Sequence, residues 1–251
     1  MIYKNKTMST TYLIHHGLCQ KELADSNWIA SERASVNPFD APLSEKGREQ
    51  IENLASNIEE LEVIYTSPFT RAIETALHLK KFLNKDVAVR VEYGLAEAAI
   101  LTDFTGVVTP EFINGQFVKL IPNHVLINNR TYYSHFDEEL MLNRLFERYP
   151  ELDSTYNSKF SFKEIPFSEN DCEYGDRTSK VLNLILKQDI NTAVIGHKGL
   201  ITLGSVYLRQ NQTNDEIGRF MKPLNSIYFG DKEAEGVMVK FDNLKKEYLL
   251  V

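Results

Sequence analysis

Thr11-Tyr-Leu-Ile-His-His-Gly17 decides how the rest of the chain is read. The run from Thr11 to Ile14 is β-branched, aromatic and aliphatic, which suits a strand buried on both faces. Gly17 can take the positive φ that turns the chain out of that strand. The pattern returns at Thr192-Ala-Val-Ile-Gly-His-Lys-Gly199, where a second β-rich run ends in glycine and histidine. Between the two, Val63 to Thr66 and Val87 to Val91 read as further short strands. Helical patterns fill the gaps. Ser44 can cap a helix with apolar residues at Ile51, Leu54, Ile58 and Leu61, and Ser67-Pro68 reads as the cap and first turn of a helix over 69–83. Two more helices are expected over 176–187 and 200–208. Strands alternating with helices predict an α/β three-layer sandwich, a mainly parallel central sheet flanked by helices.

Outside that alternation the chain changes character. Residues 18–42 are polar and carry Asn37-Pro38 and Ala41-Pro42, so they read as a long loop. Residues 98–173 are rich in Asn, Tyr, Phe and Pro, with a helix expected only over 138–148, and read as an inserted cap region within a single domain spanning 1–251. Ser226 to Phe229 and Val237 to Phe241 flank an acidic stretch and suggest a terminal hairpin.

Composition removes several classes of function. The 251 residues carry 28 Lys and Arg against 35 Asp and Glu, a net charge of −7. Such a balance argues against binding nucleic acid directly, because that affinity comes from clustered Lys and Arg. No apolar run approaches the length of a spanning helix, so no membrane association is expected, and the localisation expected is cytoplasmic with the nucleus as the other option. Two cysteines, Cys19 and Cys172, are too few for a disulfide framework. The nucleotide-binding glycine loop, the dinucleotide fingerprint and the Gly-x-Ser-x-Gly elbow are all missing, which weakens kinase, dehydrogenase and serine-hydrolase readings.

In open parallel sheets ligands bind beyond the carboxyl ends of the strands. His16, Arg71, Glu97 and His197 all fall there. Taken singly, each has a structural explanation: a hydrogen-bonded histidine, a surface ion pair, a loop carboxylate. Taken together, two imidazoles, a guanidinium and a carboxylate make a phosphoryl-transfer set of nucleophile, charge stabilisers and proton donor. A zinc site of His15, His16 and Cys19 is disfavoured, since adjacent residues of a strand point to opposite faces.

Five motifs in order, Tyr12-Leu-Ile-His-His16-Gly17, Asp40-Ala-Pro-Leu-Ser-Glu-Lys-Gly47, Tyr65-Thr-Ser-Pro-Phe-Thr-Arg71-Ala-Ile-Glu-Thr75, Gly94-Leu-Ala-Glu97 and Val194-Ile-Gly-His197, resemble the histidine phosphatase superfamily, also called phosphoglycerate-mutase-like. The long loop and insertion resemble its eukaryotic branch with the T-cell-receptor-signalling-suppressor phosphatase domains. The resemblance implies a phosphatase that hydrolyses a phosphomonoester through a phosphohistidine on His16, with Glu97 as general acid and His197 as the second catalytic histidine. It assigns substrate binding to Arg71 and Gly17, with His15 and Lys198 beside them, and implies no cofactor and no metal. The partner would be a phosphorylated small molecule or phosphoprotein, and a homodimer through the terminal hairpin or a helix face is an option. A mutase ranks below a phosphatase because the insertion differs from what mutases carry.

The chain departs from the family pattern at His15, where the family has Arg, and at Cys19, where the receptor-suppressor branch has another Arg. An imidazole is only partly charged at neutral pH and cannot grip two phosphate oxygens at once. Loss of such a contact can cost on the order of a hundredfold in rate. Lys198 or Arg33 could supply charge instead. The alternative function is a catalytically impaired module of the same fold that binds a protein or phospho-ligand. Substrate choice is expected from the 98–173 region, with Phe112, Tyr132, Tyr133 and Phe136 as aromatic candidates and Lys119, Arg130 and Arg144 as anion contacts.

Overall fold

Four parallel strands carry the molecule, and their carboxyl ends carry the histidines. The structure, a computed structural model, describes residues 9–31, 40–83, 86–97, 124–127, 130–133, 145–161, 164, 169, 171–201, 238–242 and 247–250. Strand β1 (Thr10–His15), β2 (Val63–Thr66), β3 (Ala88–Val91), β6 (Thr192–Gly196), β7 (Met238–Asp242) and β8 (Glu247–Leu250) form one sheet in the order β3-β2-β6-β1-β7-β8. The first four run parallel, while β7 and β8 add antiparallel at one edge. The expected α/β sandwich is therefore the observed fold.

Alternating side chains explain the three layers. Tyr12, Ile14, Ile64, Ala193 and Ile195 face one way, against α2 (Glu45–Ala55) and α3 (Thr70–Leu83), which contribute Ile51, Leu54, Ile73, Ala76 and Leu79. Leu13, Val63, Tyr65 and Val194 face the other way, against Val181, Leu182 and Ile185 of α4 (Asp171–Leu186). Both faces of every central strand are thus covered, which is why these strands read as continuous apolar runs. Ile51, Ile64 and Ile73 have no solvent exposure, and each contributes about 1.5–3 kcal/mol relative to an exposed side chain.

Element ends differ from the sequence expectation in instructive ways. Helix α2 is capped by Ser44, whose hydroxyl accepts from the Gly47 amide, but it stops at Ala55. The chain then winds out through two short-range bonds, from the Asn57 amide to the Leu54 carbonyl and from the Ile58 amide to that of Ala55, so Ile58 and Leu61 stay buried without being helical. Helix α3 starts at Thr70, three residues after Ser67. Its orphan first-turn donors are met from a distance: the Asp40 carboxylate accepts from the Thr70 amide at 2.6 Å and from the Thr70 hydroxyl at 2.7 Å. A short helix, α1 (Ser26–Ile29), interrupts the loop expected over 18–42, with Asp25 capping it.

Helix α4 begins five residues before its expected start. Its first two turns contain Gly175 and several polar residues, which masked the pattern. Helical winding also begins at Lys198 and continues through 201, while 202–208 lie outside the described residues.

The 98–173 segment is not uniform. It holds a two-stranded sheet, β4 (His124–Ile127) with β5 (Arg130–Tyr133), joined by a two-residue connection that the sequence reading did not identify. Residues 145–148 are helical, and 134–144, the start of the helix expected over 138–148, lie outside the described residues. Beyond them the chain returns to the main body: Tyr149 and Leu152 join the core, and Leu152 forms a parallel bridge to Val89. The terminal hairpin pairs β7 with β8; of the two arms expected, 226–229 lies outside the described residues, and the partner of β7 is the later run. Among the described residues no helix is long and apolar enough to cross a membrane.

Candidate active site

Register brings the two histidine motifs together. In the β1–β6 pair His15 stands opposite Gly196, so His16 and His197 leave the sheet side by side. The His16 amide donates to the Gly196 carbonyl at 3.0 Å, and the Ser67 amide at the end of β2 donates to the Ile195 carbonyl at 2.9 Å. Three strand ends thus deliver His16, Ser67 and His197 to one place. Arg71 arrives one turn later, in the first turn of α3, and Glu97 follows the one-turn 3-10 helix Tyr93–Leu95 that ends β3.

Gly17 and Gly47 make the close approach that this crowding needs. A Cβ on Gly17 would sit 2.7 Å from the Gly47 carbonyl oxygen, and one on Gly47 would overlap the Leu18 carbonyl oxygen. The loop after β1 and the first turn of α2 therefore touch backbone to backbone, which explains the glycine in the Pro-Leu-Ser-Glu-Lys-Gly47 motif. Thr75 ties the same loop to α3: its hydroxyl accepts from the Gly17 amide at 3.1 Å and donates to the Arg71 carbonyl at 2.7 Å.

The protons of His16 can be placed from its partners. Arg71 Nε, which can only donate, lies 2.9 Å from His16 Nε2, so Nε2 carries a lone pair. Nδ1 then carries the proton and donates to the Gly17 carbonyl at 2.8 Å. Burial first, then the neighbouring His15 and Arg71, hold the pKa of this ring well below the ordinary imidazole value, so it is neutral with Nε2 as its basic atom.

His197 has three contacts. Ser67 Oγ lies 2.8 Å from Nε2, while Arg71 Nη2 and Glu97 Oε2 lie 3.2 and 3.1 Å from Nδ1. The ring is fully buried, and burial, followed by Arg71 and His16, pushes its pKa well down. A neutral ring has one proton. If it sits on Nδ1, Arg71 faces a donor; if it sits on Nε2, Ser67 accepts it and Nδ1 accepts from Arg71. The second tautomer satisfies Ser67 and gives the single Nδ1 lone pair to Arg71, with Glu97 Oε2 3.1 Å from the same nitrogen.

The structure brings His16, Arg71, Glu97 and His197 together as the sequence reading expects, with Gly17 in the first loop. His15 is buried, its ring centroid 4.3 Å from that of His16. The two rings do not point to opposite faces, because His16 is already past the end of β1. That removes the reason first given against a zinc site; among the described residues no group of three or more His, Cys, Asp or Glu side chains is arranged to hold a metal ion.

Cys19 is buried against Leu43 and Trp28, with its thiol pushed up to about 11 by burial and by Glu22. Its amide donates to a Glu22 oxygen at 2.8 Å. Lys198 follows His197, partly exposed, at the start of the helical turn. Arg33, Phe112, Lys119, Phe136 and Arg144 lie outside the described residues, as do the side chains of Arg130, Tyr132 and Tyr133.

Sequence reasoning missed the supporting residues. Ser67 could have been found, since it ends β2 within the matched Ser-Pro motif. Asp40 and Thr75 lie in quoted motifs too, but their partners are 30 and 58 residues away. Glu92 had no signal. It is buried and accepts from the Gly94 amide, the Tyr156 and Ser158 hydroxyls and the Lys159 amide, which knots residues 156–159 to the turn before Glu97.

Residues 12–115 match the family described as histidine phosphatase superfamily (branch 1), a stretch that includes His16, Arg71 and Glu97. No curated protein matches the chain by sequence. Among solved structures, the ecdysone phosphate phosphatase of Bombix mori, in complex with tungstate, is similar at a TM-score of 0.57 and 16% identity, over 97% of this chain and 92% of that one. The phosphoserine phosphatase of Entamoeba histolytica, in complex with 3-phosphoglyceric acid, aligns over 97% and 95% of the two chains at 16% identity and a TM-score of 0.49.

Proposed function

We propose that this chain, a member of the histidine phosphatase superfamily, hydrolyses a phosphomonoester through a phosphohistidine on Nε2 of His16. The observation that carries the reading is the fixed tautomer of His16: the Gly17 carbonyl holds the Nδ1 proton, leaving the Nε2 lone pair beside Arg71. An incoming phosphoryl group takes over the Arg71 donors, and Nε2 attacks phosphorus. The bond from phosphorus to the ester oxygen breaks, and the Glu97 proton passes to that oxygen. Arg71 stabilises the oxygens of the group in transfer, beside His197, which Ser67 holds in place. Glu97, now a carboxylate, takes a proton from water, whose oxygen displaces His16 from phosphorus and releases inorganic phosphate.

His15 and the Cys19–Glu22 pair supply no second guanidinium, which supports slow turnover. They also favour the second reading, a module that binds a phosphorylated ligand without hydrolysing it. One experiment decides. Purified protein and its His16→Ala variant are assayed with a chromogenic phosphomonoester from pH 4 to 8, and the quenched reaction is examined for acid-labile phosphate on His16 by mass spectrometry. Turnover and label that both vanish in His16→Ala support the phosphatase. Identical traces from both proteins, with vanadate still bound, favour the binding module.

A further inference from the structure

Helix α4 places one buried cation directly behind the segment that carries Glu97. Nε and Nη2 of Arg177 bond both oxygens of Glu169, while Nη1 donates to the Gly94 carbonyl at 2.6 Å and Nη2 to the Ala96 carbonyl at 3.1 Å. Arg177 and Glu169 are both buried, at 6% and 3% exposure, and the guanidinium lies 4.9 Å from the centre of the Tyr174 ring, one turn back on the same helix. A buried ion pair is a weak source of net stability, because desolvation offsets most of its attraction. What this one secures is geometry. Its planar fork is fixed on one side by a carboxylate and on the other by the two carbonyls that bracket Leu95, and the next residue after Ala96 is the acid.

We infer that Arg177, oriented by Glu169, is a positioning residue for Glu97: it clamps the Gly94–Ala96 backbone so that the Glu97 carboxyl stays on His197 Nδ1 and in reach of the leaving oxygen. The inference rests on the phosphatase reading above. It follows from distance. Glu97 Oε2 sits 3.1 Å from Nδ1, and a displacement of about 1 Å at such a group can cost on the order of a hundredfold in rate. Lysine in place of Arg177 brings one point charge and cannot hold Glu169 and two carbonyls together.

The test uses two substrates that differ in their need for an acid. Phenyl phosphate has a poor leaving group and depends on Glu97 as acid for transfer to His16; 2,4-dinitrophenyl phosphate has a good one and needs no acid in that step, which kcat/KM reports without the later hydrolysis of the phosphohistidine. Wild type, Arg177→Met, Arg177→Lys, the Arg177→Met/Glu169→Gln pair and Glu97→Gln are compared, with melting temperatures measured alongside. The double variant removes the buried charge that the single one leaves unpaired. Expected is a fall in kcat/KM on phenyl phosphate of at least about tenfold in every Arg177 variant, with kcat/KM on the dinitrophenyl ester changed by less than about threefold, the same selectivity in kcat/KM as Glu97→Gln. Equal losses on both esters in the folded Arg177 variants, beside selective loss in Glu97→Gln, would overturn the positioning role alone. An inert wild type would overturn the phosphatase reading, and the positioning role with it.

Discussion

Arg71 donates from Nε to Nε2 of His16 at 2.9 Å, while its Nη2 lies 3.2 Å from Nδ1 of His197. One planar guanidinium therefore spans both imidazoles, and a compact ammonium cannot. Arg71→Lys is expected to lower kcat/KM on a phosphomonoester by about a hundredfold or more, nearly as much as Arg71→Ala. Steady-state kinetics of the two variants check this, and a lysine enzyme with more than half the wild-type activity would refute it.

The His15 ring centroid lies 4.3 Å from that of His16, at the position where the resemblance of the first motif implies an arginine. His15→Arg is expected to raise kcat/KM by about tenfold and to tighten vanadate inhibition, because it restores a cation with two parallel donors. A neutral or lower rate in a folded variant would mean that the site compensates for the missing arginine elsewhere.

The two buried histidines set an acid limit on stability. Both pKa values lie well below the ordinary 6.5, from burial first and then from the neighbouring His15 and Arg71 around His16 and from Arg71 and His16 around His197. Above pH 6.5 folded and unfolded rings are both neutral, and the contribution to stability is whole. As pH falls below 6.5 the unfolded rings bind protons that the folded ones refuse, so stability is lost, at up to about 1.4 kcal/mol per pH unit for each ring. Urea unfolding at pH 7.5 and 5.5 measures it, with His197→Asn expected to show a shallower loss than wild type. Equal stability at the two pH values would contradict the burial of both rings.

The cysteines should label one at a time. Cys172 is exposed, whereas Cys19 is buried and its pKa is about 11. Iodoacetamide at pH 8 is expected to modify Cys172 in the native protein and both residues only after denaturation, since the thiolate is the reactive form. Peptide mapping of the native reaction reads this out, and rapid native labelling of Cys19 would show that the loop after β1 opens.

Strands and helix faces were legible because their signals are local. The β-branched run from Thr11, the short strand from Val63 and the strand before His197 carry periodicities that a single sequence displays. The four candidate site residues were legible too, since each follows a strand in the chain. What stayed hidden is what the chain settles at long range. Helix α3 starts at Thr70, one residue after its expected start, but the carboxylate that meets its first donors, Asp40, lies 30 residues back. Helix α4 reaches back to 171 through a glycine-containing turn that lowers its helical signal. Glu92 and Arg177 look like ordinary surface charges until the fold buries them, Glu92 against the Lys159 amide 67 residues on and Arg177 against carbonyls 81 and 83 residues back.

The knot at Glu92 has a practical meaning for anyone exchanging specificity between relatives. Its carboxylate holds the hydroxyls of Tyr156 and Ser158 and the amide of Lys159, while Leu152 runs alongside Val89. The stretch between the third and sixth strands is therefore not a cassette with two clean seams. A transplant cut at 98 and 173 would tear out Tyr149 and Leu152 from the core and take from the buried Glu92 carboxylate its bonds to Tyr156, Ser158 and Lys159. The splice that respects the molecule falls ahead of residue 145, so that donor loops arrive on a host that keeps its own foundation.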